Sequence, residues 1–153
     1  MGVTVSLVSH RAEAVASIKA AASQRMLESV ITVRNETQEV LSGQRHGKRY
    51  KVPTTGSGRV GEGRSRPGTG VWYTASAPGE SPANRLNGLR SSIDYDIRGE
   101  GRKLIGDVGT KLRYGATLEY GHPPHRLAAR PWLRKSFEKT MDAILAIWRQ
   151  PWL

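Results

Sequence analysis

Between Val15 and Val40, small or apolar side chains recur at steps of three and four: Val15, Ile18, Ala22, Met26, Val30, Val33, Thr37 and Val40. That spacing draws one stripe along a helix. Ser9 is placed to cap it, Glu13 suits its first turn, and Gly43 is a natural stop. At 1.5 Å per residue, such a helix is roughly 45–50 Å long. A compact domain of 153 residues has an expected radius of gyration of only ~15 Å. The helix therefore kinks or breaks over its own sheet, or it leaves part of its stripe to be covered from outside the domain.

The stretch after it is of another kind. Residues 43–70 hold eight glycines and two prolines, with one short strand-like run, Lys48 to Val52. Such a composition buries too little apolar surface to offset its ordering entropy. Long unstructured insertions in small domains are usually binding loops or disordered. A flexible Gly/Arg-rich arm is expected at about 44–70. It also concentrates the charge. Arg45, Lys48, Arg49, Lys51, Arg59, Arg64 and Arg66 face a single anion, Glu62, so this stretch carries more than half of the chain's net +11. A basic surplus points to nucleic acid, an acidic membrane or an acidic protein partner.

Beyond the arm the pattern alternates. Val71, Tyr73 and Ala75 interleave with Trp72, Thr74 and Ser76, and Ile93, Tyr95 and Ile97 with Asp94, Asp96 and Arg98. Gly99-Glu100-Gly101 is a turn signal, with Lys103 to Val108 as the returning strand. Asn84 could cap a short helix through Arg90. Pro131 suits the first position of a last helix, whose stripe is Leu133, Phe137, Met141, Ile144 and Trp148. Pro151 stops it before an apolar Trp152-Leu153 tail. The fold class is α+β: a long N-terminal helix, a small antiparallel sheet with the basic arm, and an amphipathic C-terminal helix, in one domain over 1–153.

Several chemistries are disfavoured. With no cysteine there are no disulfides, thiolate nucleophiles or thiolate metal sites. No apolar run approaches the ~20 residues a membrane span needs, and the first ten residues do not read as a secretion signal. The expectation is a soluble protein made in the cytoplasm. Gly56 to Gly61 has dinucleotide-loop spacing, but the residues that follow, Glu62 to Pro67, will not start the required helix. His122-Pro-Pro-His125 offers two imidazoles, too few for a closed metal site, and reads as a turn. No nucleophile–base pair stands out, so neither an enzyme nor a cofactor is expected.

Glu119 lies in an otherwise uncharged run, Tyr114 to Gly121. If buried, that carboxylate needs a partner, and Arg130 or Arg90 could supply a guanidinium fork as an internal brace. The bland alternative is an exposed carboxylate of little energetic consequence.

Three stretches in order carry a resemblance. They are Ala77-Pro-Gly-Glu-Ser-Pro-Ala-Asn-Arg-Leu-Asn-Gly-Leu-Arg-Ser-Ser-Ile93, Tyr114-Gly-Ala-Thr-Leu-Glu-Tyr-Gly121 and Ala129-Arg-Pro-Trp-Leu133. They resemble the head–tail joining proteins, the neck or tail-completion family, of lambda-like long-tailed bacteriophages. The matching stretches cover about a fifth of the chain. Asn87, Gly115 and Trp132 depart from the family's usual Thr, Ala and Phe, and the arm is unusually long.

The resemblance implies a structural virion component that forms a ring, of six copies or alternatively twelve, between capsid portal and tail. Its neighbours would be head-completion or stopper proteins on one side and tail-terminator or tube proteins on the other. DNA in the channel is a further contact, and no membrane is involved. The arm cations named above, together with Trp148, Trp152 and Leu153, are the expected assembly residues. The competing reading is a basic nucleic-acid-binding module that uses the arm on phosphates.

Overall fold

The computed structural model describes residues 10–53, 70–83, 87–99 and 103–152. In chain order these form α1 (Arg11–Ser42), β1 (Arg49–Pro53), β2 (Gly70–Thr74), α2 (Gly88–Ser91), β3 (Ile93–Arg98), β4 (Ile105–Thr110), α3 (Arg113–Tyr120), a 3-10 turn at Pro123–His125, and α4 (Leu133–Arg149). The α+β class read from the sequence holds. The strands make two separate antiparallel ladders, β1 with β2 and β3 with β4, where a single small sheet was expected.

The long helix is unbroken over 32 residues. Ser9 and Asn84 lie outside the described residues. His10 takes the N-cap position of α1, and its ring bonds Glu13 at 3.0 Å. The stripe is buried only in its second half, through Val30, Val33, Thr37 and Leu41. Thr37 is fully enclosed because its hydroxyl donates to the Val33 carbonyl at 2.7 Å, which removes the cost of an unpaired buried donor.

The β3–β4 ladder pairs Ile93 with Thr110, Tyr95 with Val108 and Ile97 with Gly106. Burial alternates along β3 as the period-two pattern requires, and the charged face holds Arg98 with Asp96 and Asp107. Gly106 lets β4 lie against α1, since a Cβ there would stand 2.5 Å from Val30 and 2.7 Å from Met26. Helix α4 runs antiparallel to α1, with Lys139 reaching Glu36 and Trp148 reaching Ser29. It begins at Leu133 with Trp132 as N-cap, so Pro131 precedes the cap and is not the first helical residue. Leu41, Leu89, Ile93 and Trp132 form the centre of the core.

The first ten residues of the stretch expected to be a flexible arm, 44–53, are not an arm in the structure. Residues 44–53 are held: β1 pairs with β2 along its length, the Gly47 N–H donates to the Ala75 carbonyl, and Ala75 returns a bond to Lys48, both at 3.0 Å. A partner strand satisfies backbone groups that the local composition could not. Arg59, Arg64 and Arg66 lie outside the described residues.

Candidate functional site

Glu119 is buried, 6% exposed, on the last turn of α3. Its Oε2 accepts the Trp132 N–H at 2.7 Å and the Leu133 N–H at 3.0 Å, and Oε1 accepts the Arg134 N–H at 3.1 Å. These are first-turn amides of α4, which have no intrahelical partners and form the positive end of the helix dipole. The brace exists, but a helix terminus makes it and no guanidinium takes part. Arg130 instead donates to the Ser76 hydroxyl at 2.7 Å. Arg90 offers its carbonyl to Gln38, and its buried Nε has no partner. With three N–H donors already on it, the Glu119 carboxylate has little need of an arginine.

The three stretches that carry the family resemblance meet around this node. Leu89 and Trp132 share the core, and the Trp132 indole N–H donates to the Gly115 carbonyl at 3.2 Å. A Cβ on Gly115 would stand 2.5 Å from Thr110 and 3.5 Å from Leu89, so helix and strand close in only with glycine there. Ser81 donates to the Pro131 carbonyl at 3.0 Å. These residues pack at the centre of the fold.

Two apolar rows lie exposed on the surface. Along α1, Val30 and Val33 are 4% and 6% exposed, whereas Val15 and Ile18 on the same stripe are 43% and 40% exposed. None of residues 11–24 is buried. Their side-chain hydrogen bonds stay within the helix, from His10 to Glu13 and from Gln24 to Glu28. On α4, Phe137, Met141 and Leu145 form a second uncovered row, one turn apart each. Beside that row an open apolar groove of about 530 Å³ runs between α1, β4, α3 and α4, with Met26, Val30, Val108, Leu133, Phe137 and Ile144 in its walls.

The C-terminal tail, expected to clasp neighbours, folds onto its own α1. The Trp148 indole donates to the Ser29 hydroxyl at 3.0 Å. The Arg25 guanidinium lies 4.0 Å above the Trp152 ring and donates to the Pro151 carbonyl. Trp152 still leaves 40% of its surface to solvent. Leu153 lies outside the described residues.

The basic residues divide by role. Arg45 is a tie, its guanidinium donating to the carbonyls of Val40, Gln44 and Pro82. Arg49 and Lys51 share one face of the β1–β2 ladder with Trp72, and Arg49 sits 4.8 Å above that ring. Lys48 lies near Tyr50. The ladder is anchored to the 77–80 turn by Glu80, which accepts from the Ala77 and His46 backbones and from the His46 ring at 2.8 Å. Those donors, the backbone ones first, pull the Glu80 carboxyl from near 4.5 to about 2. His122 and His125 stack at 4.6 Å in the turn. No cluster of three or more metal-ligating side chains occurs among the described residues. No described helix is long and apolar enough to cross a membrane.

Sequence reasoning missed the groove and the role of α3. The groove is a junction of four elements that no local pattern encodes. Helix α3 is short, and its Gly115 and two tyrosines hide the helical period. The available signal was a lone Glu119 in an uncharged run, followed 12 residues later by Pro131, just ahead of the N-cap of a helix with donors to spare. No protein-family model, curated protein or solved structure matches the chain.

Proposed function

We propose that the chain is a non-enzymatic structural subunit of a phage virion: one member of a ring in the neck, between the capsid portal complex and the tail. The observation that carries this reading is the stripe of α1, which continues past the end of its own chain's cover and leaves Val15 and Ile18 in water. Exposed apolar rows of this kind mark contact surfaces. Two different unpartnered patches on one chain favour head-to-tail contacts, which close into rings when the rotation permits. The three-part motif resemblance names the setting, with stopper proteins on one side and terminator or tube proteins on the other. The test is complementation. Phage lacking this gene product should accumulate separate heads and tails, and the supplied protein should restore joined particles. Normal virions without it would refute the proposal.

A basic nucleic-acid-binding module is the second reading, favoured by Arg49 and Lys51 flanking the 55%-exposed Trp72. It requires affinity for random duplex DNA that falls steeply with salt. Indifference to DNA at low salt would remove it.

A further inference from the structure

We infer that the first four turns of α1, residues 11–24, dock across the α4 face and into the adjoining groove of a second copy of this chain. The inference rests on the ring reading and names the surfaces through which copies meet. Three observations carry it.

The donor element is ready-made. Residues 11–24 span about 21 Å of helix, and Val15, Ile18 and Ala22 continue the stripe that Val30 and Val33 bury further along. A preformed helix loses little conformational entropy on docking. Apolar anchors at one-turn spacing are what a helix-in-groove contact reads.

The receptor is built from the other end of the same packing. Phe137, Met141 and Leu145 lie exposed in a row on α4, and Phe137 also walls the groove. Helix α1 cannot fill this place in its own molecule, because it is one unbroken helix whose second half already forms a wall of the groove. Its first half points onward along the same axis and cannot turn back. The first half of α1 that docks here is therefore a second copy's.

Charge supports the same pairing. Arg11 and Lys19 edge the stripe of α1; on α4, Glu138 and Asp142 edge the middle of the row, between Arg134 and Arg149 at its two ends. All six are exposed, and among the described residues none makes an ion pair; α4's Lys139, by contrast, is already committed to Glu36. Opposite signs at the rims set register and disfavour wrong partners.

The chain has no cysteine, so single introduced thiols report contacts without background. Ile18→Cys protein is mixed with Met141→Cys or Leu145→Cys protein under mild oxidation. Ala20→Cys, on the far side of α1, serves as the control. Covalent dimers between different variants are expected for position 18 and not for position 20. The charge test is independent. Arg11→Glu with Lys19→Glu should lower the cross-linking yield about tenfold, and Glu138→Lys with Asp142→Lys in the partner should restore it.

The outcomes separate the two levels. Annuli in the electron microscope with no cross-link at either α4 position overturn the docking and leave the ring reading standing. A cross-link that appears only in closed dimers supports the docking and overturns the ring. Equal cross-linking from positions 18 and 20, or a charge reversal without effect, overturns the docking.

Discussion

Replacing Glu119 by Gln tests the node that joins α3 to α4. The carboxylate holds three first-turn amides of α4, two on Oε2 and one on Oε1. A glutamine can keep the two bonds to Trp132 and Leu133 by placing its carbonyl oxygen at the Oε2 site. Its NH2 group then meets the Arg134 N–H, donor against donor. One hydrogen bond to a charged group is lost, worth about 1.5–3 kcal/mol. The attraction between a negative charge and the helix terminus is lost with it, about 1 kcal/mol. The sum is about 3 kcal/mol, and for a domain of this size each kcal/mol moves the melting temperature by about 2–4 °C. Thermal unfolding followed by circular dichroism should therefore fall by about 6–12 °C. Glu119→Ala, which strips the acceptor from all three amides, should fall at least as far. A Glu119→Gln protein melting within about 1 °C of the parent would refute the idea that this carboxylate organises the α3–α4 junction.

Gly106→Ala should destabilise by about 1–3 kcal/mol through overpacking, because its methyl would stand 2.5 Å from Val30 and 2.7 Å from Met26; an unchanged urea midpoint would contradict the close approach of β4 to α1. The Glu80 carboxyl, held near 2 against about 4.5 when unfolded, should titrate in carbon NMR with a midpoint close to 2. The sign follows from linkage: the unfolded chain takes up the proton first, so this contribution is present above pH 4.5 and is lost as pH falls toward 2. A Glu80 midpoint above 4 would contradict its anchoring of the β1–β2 ladder. Since Pro53 faces Gly70 at the end of that ladder, replacing residues 54–69 with an Asn-Gly turn should leave a folded protein with parental melting. That variant should fail to join heads to tails; normal joining would show that the basic stretch has no part in assembly.

The parts of the fold that repeat were legible from the residues alone. Helix α1 announces itself through eight evenly spaced positions, and β3 through the alternation of Ile93, Tyr95 and Ile97 with Asp94, Asp96 and Arg98. The end of α4 follows from Pro151. Relations between distant segments were not legible. Glu119 reads as a carboxylate in need of a partner, yet its partners are backbone amides, which carry no residue identity to recognise. Arg45 reads as one of seven arm cations and is in fact bonded to three carbonyls, because Val40 and Pro82 approach it only in the folded chain. Trp148 reads as the last of the α4 stripe and Trp152 as part of an apolar tail, and Ser29 and Arg25, far away in sequence, take them up. The over-long stripe of α1 carried through from residues to structure: its length exceeded what one small domain could cover, and its first half is uncovered.

That uncovered half places the central claim on one measurement. Negative-stain images of the purified full chain, taken across a concentration series, should show closed annuli of uniform diameter. Particles the size of a single chain at every concentration would mean that Val15, Ile18 and the α4 row need no companion, and the ring would have no basis.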